Sequence, residues 1–152
     1  MSGIIITTDV ELCVGDIVYV EMDSNDGLVL NEGYPTRLKY VVVAGSKSDN
    51  KEACLVLINS DNDYSDDPEW KAAQIPIAHN NYPEILDYDS WMDCTDPKQM
   101  TMRKLRARKA EIVGRLNDED LTQVMTTLKD SGFIDTHLKK VYGILSYSPA
   151  EN

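Results

Sequence analysis

Basic side chains crowd one stretch of this chain. Arg103, Lys104, Arg106, Arg108, Lys109 and Arg115 fall within thirteen positions whose only acid is Glu111. Such a run is the one place in the sequence where a polyanion can dock. Aromatic residues are scarce beside it, so it offers charge to phosphates and little stacking to bases. Its bland counterpart is a solvated face that balances acids elsewhere in the chain. The opposite charge gathers at Asp61, Asp63, Asp66, Asp67 and Glu69. That run lacks the Gly that a calcium loop needs at its sixth position, and Ala72 stands where the closing bidentate Glu belongs. A solvated loop is therefore expected. Asp89, Asp93 and Asp96 sit among turn residues with Pro97, which suits local capping better than a carboxylate site.

Histidine and cysteine chemistry is thin. His79 and His137 are the only imidazoles, which excludes a His-rich metal site. Cys13, Cys54 and Cys94 are widely spaced, form no CxxC pair and are odd in number. Free thiols in a reducing cytoplasm are the simplest reading. No metal or cofactor is expected. Trp70 and Trp91 could flank a groove, but in a small domain a tryptophan more often serves the core or a subunit contact.

Composition narrows the class. The chain has 152 residues, 42% of them apolar and 27% charged, which suits one globular domain with a small appendage. Fifteen basic residues against 26 acidic ones give a net charge of −11. That charge repels polyanions at long range, so any nucleic-acid function must work through a local patch. Runs such as Val41-Val42-Val43-Ala44 are far too short to span a bilayer, so no membrane association is expected. Met1-Ser2-Gly3 leads into Ile4 without a basic region, so no secretory signal is expected either.

The elements that must position these groups read as mostly short strands. Gly15-Asp16 is a turn signal, and the apolar, β-branched residues after it predict a strand to about residue 22. Residues 23–37 predict a loop long enough to suggest function. Strands follow over 38–44 and over Cys54–Ile58, the latter apolar on both faces and so central. Asn59–Glu69 reads as a second loop. Short strands are predicted at Ala73–Ile77, Ser90–Cys94 and Glu111–Leu116, with Met100–Arg108 ambiguous between strand and helix. Strands at this spacing argue for a small closed barrel. The last third turns helical. Asn117 is a good N-cap, acids fill the first turn, and Leu121, Val124, Met125 and Leu128 form a buried stripe. Gly132 predicts a left-handed stop. A second helix is predicted over about Thr136–Leu145, with Leu138, Val141, Tyr142 and Leu145 on one face.

Three segments together resemble the MazF/PemK family of plasmid-maintenance ribonuclease toxins. Val14-Gly15-Asp16-Ile17-Val18-Tyr19-Val20 resembles the family's opening G-D-[IV]-[VIL]-x-V. Lys39-Tyr40-Val41-Val42-Val43 stands where the family has R-P-V-V-V. Ile112-Val113-Gly114-Arg115-Leu116-Asn117-Asp118-Glu119-Asp120-Leu121 is close to I-G-x-L-[ST]-x-E-x-[LM], and it is the most specific of the three. The segments bracket roughly residues 12–131.

The resemblance implies a mainly β fold with C-terminal helices: a small SH3-like β-barrel over residues 1–132 with a packed helix. Residues 133–152 would be a helical extension and tail. It implies a cytoplasmic homodimer that cuts single-stranded RNA without metal, and an antitoxin partner. The family pocket uses an Arg at the start of the second strand and a Thr at the end of the third. Here Lys39-Tyr40 replaces Arg-Pro, and Ile58-Asn59-Ser60 stands in for I-T-S. Lys is a point charge without the planar fork of Arg. Arg37, two residues upstream, could supply the guanidinium, although its reach along the strand differs by ~6–7 Å. Asn59 can donate through its amide, and Ser60 carries a hydroxyl one position late. The implied catalytic set is Arg37, Lys39, Asn59 and Ser60, with Arg103, Lys104, Arg106, Arg108 and Lys109 binding nucleic acid. The competing expectations are a barrel that kept the fold but lost the chemistry and now binds protein or nucleic acid, and an acidic protein that binds a basic partner directly.

Overall fold

Runs of β-branched residues build the sheet. The computed structural model describes residues 3–28, 30, 33 and 35–149. Its strands are β1 (Ile4–Ile5), β2 (Asp16–Asp23), β3 (Thr36–Ser46), β4 (Glu52–Asn59), β5 (Gln74–Ile77), β6 (Ser90–Asp93), β7 (Lys98–Thr101) and β8 (Glu111–Arg115). Its helices are α1 (Pro68–Ala72), α2 (Met102–Ala107), α3 (Asp118–Asp130) and α4 (Thr136–Val141). Every pairing is antiparallel. The strands form one open eight-stranded sheet in the order β1-β8-β2-β3-β4-β6-β5, with β7 also paired to β4. The fold is therefore mainly β with helices. No helix among the described residues is long and apolar enough to cross a membrane.

Period-two alternation divides the apolar residues between two clusters. Along β3, Val41 and Val43 face one cluster while Val42 and Ala44 face the other. Along β4, Ala53, Leu55 and Leu57 join the first, and Cys54, Val56 and Ile58 the second. β4 is thus covered on both faces, as its unbroken apolar run requires. The first cluster is completed by Val18, Val20 and Met22 of β2 and by Leu105 of α2. The second is completed by Leu121, Val124, Met125 and Leu128 of α3. Burying each such side chain is worth ~1.5–3 kcal/mol.

Two glycines shape the sheet. Gly15 takes φ +97° and turns the chain into β2, where the Asp16 carboxylate accepts the Cys13 N–H at 2.8 Å. Gly45 sits at a register shift between β3 and β4, and a Cβ there would lie 2.2 Å from the carbonyl oxygen of Tyr142. The C-terminal segment therefore seats directly on the sheet. Tyr142 and Ile144 are buried in the second cluster, and the Tyr142 hydroxyl lies 3.0 Å from Glu52 Oε1 and 2.9 Å from Gln99 Oε1.

Several expectations are corrected at element ends. α3 starts as expected, with the Asn117 side chain accepting the Asp120 N–H at 2.8 Å. It does not end on a left-handed Gly132: its last residue is Asp130, and Ser131 is extended (φ −65°, ψ 127°). The terminal carbonyls are met instead by a side chain, because the buried Lys139 Nζ donates to the oxygens of Lys129 (2.8 Å) and Ser131 (2.9 Å). The left-handed stop belongs to Gly143, φ +77°, which follows α4. That stop rotates the chain, so Ile144 turns inward and Leu145 outward. Met100–Arg108 is strand and then helix, divided at Thr101, whose hydroxyl accepts the Lys104 N–H. β1 and α1 were not legible. β1 has only two residues, and α1 depends on the Asp67 cap and on Pro68 at its first position. Residues 29, 31, 32 and 34 of the expected 23–37 loop lie outside the described residues, as do residues 1 and 2 and the end of the polar tail, 150–152.

Candidate functional site

The β3–β4 register places two of the expected residues opposite each other. Val41 pairs with Leu57, so two residues further along the ladder Lys39 faces Asn59. Both side chains point to the same face as Val41 and Leu57. Lys39 Nζ donates to Asn59 Oδ1 at 2.9 Å. With Arg37 and Ser60 they line an open hollow of about 160 Å³. The structure thus brings all four expected residues to one concavity. Arg37 and Ser60 are exposed, Asn59 is half-buried, and Lys39 is only 7% exposed.

The opposite wall is the turn that leads into β6, with Asp87 and Tyr88 at its rim. Tyr82 pins this wall to the start of α3. Its hydroxyl donates to Asp120 Oδ2 at 2.6 Å and accepts the Asn117 N–H at 3.0 Å. The Asp89 carboxylate accepts the His79 N–H at 2.9 Å, and the His79 ring is hydrogen-bonded to the Leu86 carbonyl. Leu86 is buried beneath. The wall is therefore held by a cap, a ring and a buried side chain.

Electrostatics at the floor are unusual. Lys39 has no carboxylate in ion-pair range among the described residues. Burial, reinforced by the Arg37 guanidinium and partly offset by Asp61, brings the Lys39 ammonium down to about 8. Near neutrality such an amine holds a proton that it can also release. Tyr40 stacks on Tyr19, with ring centroids 4.5 Å apart. Burial, then the Tyr19 and Asp87 charges, raise the Tyr40 phenol, which stays a neutral hydrogen-bonding group. The hollow thus offers two cations, a neutral amide, a hydroxyl and phenols, with acids only at its edge.

The basic run is divided by the fold. Arg108 reaches Asp26 Oδ2 at 2.6 Å, Asp23 Oδ2 at 3.1 Å and the Glu21 carbonyl at 2.7 Å. Lys104 pairs with the other Asp26 oxygen. These two cations hold the turn after β2, where the Asp26 carboxylate is 2% exposed. Burial would raise Asp26, but hydrogen bonds from Lys104, the Asp23 N–H and Arg108 bring it down to about 2. Arg115 pairs with Asp16 at 3.2 Å. Arg103 and Lys109 are exposed, and Arg106 lines a separate hollow of about 220 Å³ beside Asp9 and Glu11.

Sequence reading missed the whole second wall. Asp87 and Tyr88 lie in a turn without periodicity, thirty or so positions from Asn59, and nothing local marks them as neighbours of Lys39. It also missed Lys98, buried where its Nζ donates to the Gly27 carbonyl (3.0 Å) and pairs with Asp96 (2.6 Å). Trp91 sits on β6 between Asn59 and Pro76, while Trp70 meets Tyr64 edge-on at 6.3 Å. Among the described residues no group of three or more His, Cys, Asp or Glu side chains is placed to hold a metal ion. The chain matches no protein-family model, and it matches no curated protein sequence.

Proposed function

We propose that the chain is a MazF/PemK-like toxin: a metal-independent endoribonuclease that acts on single-stranded RNA as a cytoplasmic homodimer and is paired with an antitoxin. The observation that carries this reading is the Lys39–Asn59 contact on the floor of a hollow that also holds Arg37 and Ser60. The strand path supports it as well. Five strands follow the order β8-β2-β3-β4-β7, each paired antiparallel to the next. These strands share the Val18–Leu55–Leu105 cluster, and α2 joins β7 to β8, which supports reading the path as an SH3-like barrel. β5 and β6 are then an insertion that builds the second wall.

In this reading the nucleophile belongs to the substrate. The ribose 2′-oxygen attacks the adjacent phosphorus, the bond to the 5′-oxygen breaks, and a 2′,3′-cyclic phosphate and a 5′-hydroxyl result. Arg37 stabilises charge on the phosphorane oxygens. Lys39 in its protonated form delivers the proton that the leaving 5′-oxygen needs, and the 2′-OH proton passes to water. Asn59 orients the amine through its oxygen, and Ser60 donates to the phosphate.

The test is incubation of the purified protein with single-stranded RNA in EDTA. Cleavage that is abolished by Lys39→Met and lowered at least a hundredfold by Arg37→Ala is expected, on the order of one lost charge stabiliser. Absence of cleavage by the unaltered protein would overturn the reading, as would unchanged cutting in both variants. Asp87 on the lining, and Asp61 near enough for its charge to act on Lys39, favour one second reading, a barrel that binds without cutting. It predicts an intact complex with RNA or a protein and no product.

A further inference from the structure

The wall opposite Lys39 carries the two groups that an unpaired base needs. Tyr88 is 60% exposed at the rim of the hollow, and Leu38 beside Lys39 is 53% exposed. An exposed aromatic next to two cations suits a base stacked on the ring while its phosphate meets the charges. Asp87, the residue before Tyr88, also lines the hollow and has no hydrogen-bond or ion-pair partner among the described residues. Its neighbour Asp89 is occupied by the His79 N–H. Asp87 is therefore an exposed, unoccupied acceptor on the lining of the same hollow.

A carboxylate accepts two parallel N–H donors. Among the four RNA bases, guanine alone presents two adjacent donors, N1–H and N2–H, on its Watson–Crick edge. Adenine and cytosine each pair one amino group with a ring-nitrogen acceptor that a carboxylate repels. Uracil flanks its single N3–H with two carbonyls. The hollow, at about 160 Å³, is smaller than the roughly 300–1,000 Å³ clefts that enclose drug-sized ligands, so it suits one base and not a duplex.

We infer that the hollow is a guanine-selective subsite for single-stranded RNA, in which Tyr88 stacks on the base and Asp87 accepts its N1–H and N2–H while Arg37 and Lys39 face the neighbouring phosphate. This rests on the ribonuclease reading for its substrate class and adds the base that is chosen. Neither Asp87 nor Tyr88 belongs to the segments that resemble the toxin family.

The experiment measures binding without cutting. Labelled oligonucleotides of five residues carry one guanosine in a uridine context, with 2′-deoxyribose throughout so that no cleavage can occur, and their anisotropy is read in EDTA. Matched oligonucleotides carry inosine, which lacks the 2-amino group, or uridine. The unaltered protein is expected to bind guanine about tenfold tighter than inosine, the value of one hydrogen bond to a charged acceptor. Asp87→Asn removes a negative charge, which raises affinity for the uridine oligonucleotide, and it removes the paired acceptors, which should bring the guanine-to-inosine ratio close to one. Tyr88→Ala should weaken all of them several-fold, with Tyr88→Phe restoring binding. Both residues are exposed, so neither change threatens folding. Equal affinity for guanine and inosine, a ratio that survives Asp87→Asn, or no binding at all overturns the inference. Guanine preference together with failure to cut the ribose form would overturn the ribonuclease reading alone.

Discussion

Lys39 Nζ donates a 2.9 Å hydrogen bond to Asn59 Oδ1 across the β3–β4 ladder, and this neutral amide is its only hydrogen-bond partner among the described residues. A buried ammonium usually faces a carboxylate, because desolvation otherwise disfavours its charge. Here the partner carries none and Arg37 adds repulsion, which is why Lys39 stands near 8 and not at its ordinary value. The cost falls on folding, and the gain is an amine able to exchange a proton near neutrality.

In the proposed ribonuclease reaction, that relationship sets the pH profile. With protonated Lys39 as the acid, cleavage should fall as pH rises through about 8. Asn59→Asp places a negative charge against the amine, which must raise its pKa and move the falling limb to higher pH. Lys39→Arg keeps the charge but cannot titrate, so its residual activity should lose the limb. Initial rates between pH 6 and 10 check this, and a limb that stays near 8 in Asn59→Asp removes Lys39 from proton transfer.

Folding should respond to the same group. Its folded pKa lies below the unfolded one, so the unfolded chain binds a proton that the folded chain lacks between about 8 and 10.5. Stability from this group therefore rises with pH across that window, and the penalty is full below pH 8. Lys39→Met should be more stable at pH 7 by on the order of 2–3 kcal/mol. It should also lose this part of the rise, which urea unfolding at pH 7 and pH 10 measures.

Asp26 works in the opposite sense. Its folded pKa of about 2 lies below the ordinary carboxyl value of 3.8, so its contribution is present above pH 3.8 and lost as pH falls towards 2. Asp26→Ala leaves Lys104 and Arg108 without their shared carboxylate and should cost about 2–4 kcal/mol. Arg103→Ala and Lys109→Ala, both at exposed positions, should stay within ~0.5 kcal/mol of the unaltered protein. Denaturant midpoints separate the two pairs, and equal losses would show that the basic run acts as one unit.

Gly45→Ala tests how the C-terminal segment is joined to the sheet. The added methyl would meet the Tyr142 carbonyl at 2.2 Å, and backbone there cannot yield cheaply. A loss of about 1–3 kcal/mol is expected. Exchange of the Leu138–Ile144 amides should quicken before that of β3, because the clash falls on the segment. A neutral substitution would mean that the segment is not seated on the sheet.

Local chemistry was enough to read the strand runs, the Asn117 cap and the α3 stripe, because each depends on residues within one or two turns. The double-sided burial of β4 was legible too, since an unbroken apolar run has nowhere else to go. The ends of elements were not. Gly132 looked like the stop of α3, but Lys139, eight residues past Ser131, met the open carbonyls, and the left-handed turn moved to Gly143. A helix end is satisfied by whatever donor the tertiary fold brings near, and spacing does not encode that donor.

The sequence by itself determined which residues carry charge, which faces must be covered and that Arg37 and Lys39 share one strand face. Only the tertiary structure decided which of those charges remain available. Lys104 and Arg108 lie in the same basic run as Arg103 and Lys109, yet Asp23 and Asp26 occupy them because β2 passes beside α2. Lys39 escapes such pairing because the ladder sets an amide opposite it. Charge is a property of a side chain, but its pairing and desolvation are set by neighbours distant in the chain.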